Sequence, residues 1–74
     1  MNRIYRFRVD LSYQDFTAYY QGAVKFVVVR DDSGLLLQLP AGRLRPFITP
    51  SGIHGRFELE LDEHNATRRL VRLE

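Results

Sequence analysis

The sequence predicts an α+β fold: a curled, mainly antiparallel five-stranded sheet, or a small open barrel, with one helix between strands 1 and 2. Two stretches of strict apolar and polar alternation, Tyr5–Leu11 and Arg56–Asp62, are typical of half-buried strands. A β-branched run ends at the turn-forming cluster Asp31–Gly34 and a second apolar run follows it. The connections are short, which favours antiparallel neighbours.

The helix is predicted at Tyr13–Gln21, directly after the first strand, Tyr5–Leu11. Ser12 is a suitable N-cap residue, and Gly22 can adopt the left-handed conformation that ends a helix. Three aromatic residues at helical spacing form the face that is predicted to pack on the sheet: Phe16, Tyr19 and Tyr20.

Strands 2 and 3 form a predicted hairpin, Ala23–Arg30 and Leu35–Leu39. Apolar residues occupy both the odd and the even positions of each strand, a pattern that indicates burial on both faces. One helix covers one face of a sheet, and a chain of 74 residues has nothing left to cover the other. The sequence therefore leaves two outcomes open, closure of the sheet into a barrel or a partner such as a second copy of the chain.

Residues 41–55 are predicted to form a loop, with one possible helical turn at Gly42–Arg45, because three of the five glycines and two of the three prolines lie there. Strand 4 is predicted at Arg56–Asp62 and strand 5 at Thr67–Leu73, with a turn between them. Eight residues of the strands and the helix are predicted to be largely buried in the core: Phe7, Val9, Phe16, Val28, Leu37, Phe57, Leu59 and Leu61.

The length of 74 residues predicts a single domain, residues 1–74, with one core. The absence of cysteine excludes disulfides, thiolate metal sites and cysteine nucleophiles. No apolar run is long enough for a secretory signal or a membrane span, so we expect a cytoplasmic protein with no membrane partner.

Four segments of the chain resemble a family of short bacterial proteins of unknown function, each about one such domain long. These segments are Tyr19–Gly22, Leu39–Ala41, Leu44–Phe47 and Gly52–Leu59. The resemblance covers nearly the whole chain. An aromatic residue commonly precedes the Pro-Ala pair in the family, and Leu39 keeps the apolar character of that position here. The resemblance implies a bacterial cytoplasmic protein and implies no activity.

Catalysis and metal binding find little support in the sequence. The two histidines, His54 and His64, lie neither in a helical i, i+4 pair nor near a nucleophile motif. Asp62, Glu63 and His64 are adjacent residues of a tight turn, where three side chains seldom converge on one ion. We therefore expect no enzyme, no metal site and no cofactor.

Arginine makes up ten of the eleven basic residues. This bias has two readings that the sequence leaves open, a base-composition bias of the coding genome or the recognition of anions by guanidinium groups. Most arginines have acidic residues nearby in the predicted strands and turns. Three exceptions lie between Pro40 and Phe57, where no acidic residue occurs. Together with His54, which is beside them in sequence, they define the candidate anion site: Arg43, Arg45, His54 and Arg56.

The sequence thus predicts a non-enzymatic binding module of one of two classes. A basic, glycine-bearing loop is suited to an anionic ligand such as nucleic acid. An uncovered apolar face of the hairpin is instead suited to a protein partner or to homodimerisation. Salt dependence distinguishes the two, because binding to phosphates weakens steeply as the salt concentration rises.

Overall fold

The computed structural model describes residues 1–21 and 26–74. Five strands, two α-helices and one 3₁₀ turn follow one another along these residues: β1 (Arg3–Leu11), α1 (Tyr13–Gln21), β2 (Phe26–Arg30), β3 (Leu36–Pro40), α2 (Ala41–Leu44), the 3₁₀ turn (Arg45–Phe47), β4 (Ile53–Leu61) and β5 (Thr67–Arg72). The α+β class, the five strands and the helix between the first two are therefore confirmed.

The strands form two antiparallel sheets, a three-stranded sheet in the order β1-β4-β5 and a two-stranded sheet of β2 and β3. The prediction of one continuous sheet is wrong, and the described residues form no closed barrel. The reason lies at the edge of β1, which meets the β2–β3 hairpin near its tip, through the bridge between Phe7 and Asp31. There the N–H of Asp32 donates to the carbonyl of Arg6 (2.9 Å).

Both hairpins close with the same type of three-residue loop, and the last residue of each loop has a left-handed backbone conformation. In the first, the Asp31 N–H donates to the Leu35 carbonyl (2.8 Å) and Gly34 has a φ of 94°. In the second, the Asp62 N–H donates to Ala66 (2.9 Å), and Asn65 has a φ of 64°. The Oδ1 atom of each aspartate also accepts backbone N–H groups of its own turn.

The core lies between the two sheets and the helices. The inner face of the three-stranded sheet is the face that carries Phe7 and Phe57; the outer face carries the intervening polar residues. Eleven apolar residues are buried: Phe7, Val9, Phe16, Val27, Val29, Leu39, Ala41, Leu44, Ile53, Phe57 and Leu59. Phe57 stacks on Phe7 (ring centroids 6.2 Å apart) and meets Phe47 edge to face (5.0 Å).

Five of the eight predicted core residues are buried, Leu37 and Leu61 are half-buried, and Val28 is exposed. The prediction for Val28 is wrong because residues Phe26–Val29 are all apolar, so the turn, and not the sequence of this run, determines which side chains face the core. The loop between Asp31 and Leu35 pairs Val29 with Leu37 and turns Val27 and Val29 inward.

The segment 41–55 is more regular than predicted. It contains α2 and the 3₁₀ turn, and β4 begins at Ile53 rather than Arg56. Gly52 has a φ of 114°, and a Cβ there would lie 2.0 Å from the carbonyl oxygen of Leu11. This glycine therefore allows the start of β4 to approach the end of β1.

The helix bounds Tyr13–Gln21 are as predicted, and the Asp15 N–H donates to the Ser12 hydroxyl (3.0 Å), as expected of an N-cap. The predicted stop at Gly22, the first residues of strand 2 (23–25) and the side chains of Tyr19 and Tyr20 lie outside the described residues. No helix in the described part of the chain is long and apolar enough to cross a bilayer.

Candidate binding groove

The four residues of the predicted anion site do not share one surface. His54 and Arg56 are alternate residues of β4 and lie on the outer face of the three-stranded sheet. Arg45 begins the 3₁₀ turn and is exposed. Arg43 lies on α2 and borders a groove together with Leu59, a residue of the inner face of the three-stranded sheet. The structure thus brings His54 and Arg56 together and places Arg43 on the other side of the sheet.

The cations of the outer face have acidic neighbours. Arg56 forms a hydrogen-bonded ion pair with Asp32, at the tip of the β2–β3 hairpin, which raises the pKa of the guanidinium. Two further pairs lie on this face, Arg6 with Glu58 across the β1–β4 ladder (3.5 Å) and Arg8 with Asp10 along β1 (3.6 Å). These pairs are at least partly exposed and individually weak, but they leave the face close to electrically balanced.

His54 bonds to backbone, as expected of a structural histidine. Its Nε2–H donates to the carbonyl of Ser51 (2.9 Å), and Nδ1 lies 3.3 Å from Asp10 Oδ1. The hydrogen bond to Ser51, followed by the one to Asp10, raises the pKa of the imidazole above 6.5. Both bonds are made fully by the protonated ring, in which both nitrogens are donors.

A groove of about 670 Å³ follows the edge of β3 that faces away from β2. We call it the β3 groove, and its lining comprises Tyr5, Phe26, Leu36, Leu37, Gln38, Leu39, Pro40, Arg43, Leu59, Leu61, Asn65, Ala66 and Thr67. All five residues of β3 border it although their side chains alternate between faces, so the groove lies along the strand's edge. The β4–β5 turn and the first residue of β5 form the opposite wall.

The backbone of β3 offers hydrogen-bonding groups to this groove. The N–H of Asp31 donates to the carbonyl of Leu35, and hydrogen-bonded pairs recur at every second residue of an antiparallel ladder. The backbone groups of Leu37 and Leu39 therefore bond to Val29 and Val27 of β2. The N–H and C=O groups of the alternate residues, Leu36 and Gln38, consequently point away from β2. In the described residues β3 pairs with no strand other than β2, so this edge is open to a ligand.

Arg43 is the single charged residue of the β3 groove among the residues that the structure describes. Its side chain is exposed, and it follows the C-terminal end of β3 by three residues. Most of the remaining lining residues are apolar, among them the buried Leu39 and Leu59, and polar atoms contribute nearly half of the surface that the groove exposes. A groove that combines apolar side chains, polar atoms and one guanidinium is suited to a ligand that has an apolar body and one anionic group.

The outward face of the β2–β3 hairpin is a second apolar surface. Its exposed large side chains are Phe26 (49% exposed), Val28 (56%) and Leu36 (57%). Such fractions leave roughly 250 to 350 Å² of apolar surface in water, which is at the lower end of the largest apolar patches on ordinary monomers, and such patches are often functional. We call these three residues the outer hairpin face; Phe26 and Leu36 also border the β3 groove.

Sequence reasoning identified Arg43 but missed the rest of the groove. The available signal was the run Leu35–Leu39, which is apolar at both parities and therefore needs neighbours on both faces. That signal does not identify residues on other strands, such as Tyr5 and Thr67. These residues line the groove because of how the two separate sheets lie relative to each other.

Comparison with known proteins gives one family match. The model of the family described as protein of unknown function (DUF2835) matches residues 3–73 of the 74. This match confirms the resemblance to a short family of unknown function. No curated protein and no solved structure matches the chain.

Proposed function

The chain belongs to the DUF2835 family of proteins of unknown function, and we propose that it is a non-enzymatic binding module whose site is the β3 groove. Its ligand has an apolar body and one anionic group, which Arg43 receives. The observation that supports this function is a groove of about 670 Å³ whose lining, among the described residues, is mainly of apolar residues with one charged residue.

The size and chemistry of the groove agree with those of known binding sites. Ligand sites commonly enclose about 300 to 1,000 Å³ and combine apolar walls with a few polar groups that fix orientation. Gln38, Asn65 and Thr67 supply such polar groups along the walls, and Arg43 supplies the charge.

The outer face of the three-stranded sheet is the less favoured anion site. Phosphate recognition needs cations that gain a partner on binding, whereas Arg56 already has Asp32 and Arg6 already has Glu58. A nucleic-acid ligand at His54 and Arg56 stays a prediction, and the test below separates it from the groove.

An anionic and a neutral dye test the role of Arg43. We expect 1-anilinonaphthalene-8-sulfonate, which joins an apolar body to one sulfonate, to bind the native protein and to lose about tenfold in affinity in Arg43→Gln, because a hydrogen bond to a charged group contributes about 1.5 to 3 kcal/mol. Nile red, which is neutral, should bind both proteins equally. Arg68→Gln, an exposed arginine of β5 outside the groove lining, is the control.

Equal sulfonate binding by the native protein and Arg43→Gln would contradict the groove assignment. Binding of a single-stranded DNA oligonucleotide that falls in His54→Gln and Arg56→Gln, and is unchanged in Arg43→Gln, would assign anion recognition to the outer face instead.

Self-association through the outer hairpin face is the second candidate function. The exposure of Phe26, Val28 and Leu36 favours it, since burying each such side chain contributes about 1.5 to 3 kcal/mol when complete. A two-fold dimer would bring this face against its own copy. Sedimentation equilibrium at micromolar concentration should then give twice the monomer mass of 8.7 kDa.

Val28→Lys is the informative variant, because Val28 lies on the outer hairpin face and not in the groove lining. We expect it to yield the monomer mass. Ile4→Lys is the matched control, since Ile4 is similarly exposed (47%) on the three-stranded sheet. A monomer mass for the native protein over the whole concentration range would reject self-association and leave the groove assignment intact.

A further inference from the structure

The open edge of β3 indicates what kind of ligand the β3 groove takes. We infer that the ligand is an extended peptide segment that pairs with β3 as an added strand and carries a carboxylate that Arg43 receives. This inference rests on the proposed function, and it narrows the ligand from an amphipathic anion to a polypeptide.

The first argument is the direction of the backbone groups. The N–H and C=O groups of Leu36 and Gln38 point into the groove, since Leu37 and Leu39 face β2. A strand laid along this edge satisfies those groups with its own backbone, as in peptide recognition by strand addition. A compact small molecule offers no repeat of donors and acceptors at strand spacing.

The second argument is the contrast between β3 and β5, each of which lies at an edge of its sheet. Edge strands commonly carry charged residues that prevent pairing with other chains. β5 has three arginines among its six residues, Arg68, Arg69 and Arg72. β3 has no charged residue, and its sequence is Leu-Leu-Gln-Leu-Pro. The β3 edge therefore lacks the charges that would keep a strand away.

The third argument is the shape of the space. One wall is β3 and the other is the β4–β5 turn with Thr67, while Tyr5, Leu59 and Leu61 form the floor. A strand paired with β3 lies over this floor and places one of its faces against apolar side chains. The five residues of β3 span about 17 Å at strand rise, which is enough to pair with a segment of similar length.

The position of Arg43 determines where the peptide must carry a negative charge. It lies just beyond the C-terminal end of β3 and is the single charge of the lining among the described residues. A carboxylate at that end of the added strand forms a charge-assisted hydrogen bond with the guanidinium. A strand parallel to β3 brings its C-terminal carboxylate there, and an antiparallel strand brings an acidic side chain.

The test begins with selection from a phage-displayed library of random nine-residue peptides with free C termini. Selected peptides are synthesised with a free C-terminal acid, with a C-terminal amide, and with N-methyl groups on either set of alternate residues. We expect one N-methylated set to bind about tenfold or more weakly and the other set to bind as the parent does, because an added strand directs alternate N–H groups to β3. Terminal amidation or an Asp/Glu→Asn/Gln change should weaken binding to the native protein and not to Arg43→Gln.

Amide exchange of the protein locates the contact. The N–H groups of Leu36 and Gln38 should exchange fast in the free protein and become protected by the peptide, whereas those of Leu37 and Leu39 are protected in both states. Gln38→Pro removes one groove-facing donor and should abolish binding, while Gln38→Thr, which keeps the N–H, should bind. If Gln38→Pro fails to fold, the N-methylated peptides on the native protein decide the question.

Peptide binding without protection of Leu36 and Gln38, or equal binding by both N-methylated sets, would overturn strand addition. Failure to select any peptide, while the sulfonate dye still binds in an Arg43-dependent manner, would also overturn it and leave the proposed function standing with a small-molecule ligand. Loss of the Arg43 dependence itself would reject the proposed function.

Discussion

Gly34 and Gly42 have the same open surroundings and different backbone conformations. An added Cβ meets nothing within 4 Å at either residue, but Gly34 has a φ of 94° while Gly42 lies in helix α2. We expect Gly34→Ala to reduce the free energy of unfolding by about 1 to 2 kcal/mol and Gly42→Ala to raise it by up to about 1 kcal/mol. Urea unfolding of both variants measures this difference, and equal effects would show that the dihedral angle is not the cause.

At the same scale, sequence position alone was insufficient to define the anion site. The sequence groups Arg43 with Arg56 because no acidic residue occurs between Pro40 and Phe57, but Asp32 pairs with Arg56 from a distant turn. The outward direction of Arg56 was predictable from the alternation around Phe57, whereas the turn at α2 that carries Arg43 to the opposite side was not. The face of a strand on which a residue lies follows from the local sequence, whereas the position of a loop depends on how the sheets pack.

The two hairpin turns depend on ionised aspartates. Hydrogen bonds lower the pKa of Asp31, chiefly from the Ser33 hydroxyl, and that of Asp62, chiefly from the Ala66 and His64 N–H groups, below the usual 3.8. Because the folded-state pKa values are depressed, this stabilisation is present above about pH 3.8 and is lost as the pH falls through them. We expect Asp31→Asn and Asp62→Asn to lower Tm at pH 7 and to have less effect near about pH 2.5. An undiminished effect in acid would show that the charge does not contribute.

The elements show which patterns determine a structure. Alternation in Tyr5–Leu11 and Arg56–Asp62 identified β1 and β4 correctly, because one face of each is polar. β2 is apolar at successive positions, so its buried face came from the register of the Asp31–Leu35 turn and not from its own sequence. Apolar and polar residues do not alternate regularly in β5, because a register shift between Glu60 and Leu61 leaves Arg68 without a partner in the ladder.

For the whole molecule, Phe57 is the residue on which the shared core depends. It is fully buried between Phe7 and Phe47, so Phe57→Ala should reduce the free energy of unfolding by about 3 to 5 kcal/mol. This loss is comparable to the whole stability expected of so small a domain. Phe26→Ala makes the same chemical change at a half-exposed residue, and we expect it to cost about 1 kcal/mol.

Calorimetry or urea unfolding compares the two variants. A fall in Tm of a degree or two in Phe57→Ala would show that the two sheets do not share one cooperative core. A loss in Phe26→Ala as large as that in Phe57→Ala would show that the hairpin is packed more deeply than its exposure indicates.

The single bridge at the hairpin tip has a mechanical consequence. Near Phe7 and Asp31 the hairpin is tied to β1 by backbone hydrogen bonds, and at its other end β3 faces the groove without a ladder. The described residues thus tie the hairpin to β1 at Asp31 and hold it elsewhere by the side-chain packing of Val27, Val29 and Leu39. The width of the groove is therefore set by apolar packing and not by a ladder, so a thicker ligand costs packing contacts and, among the described residues, breaks no strand pairing.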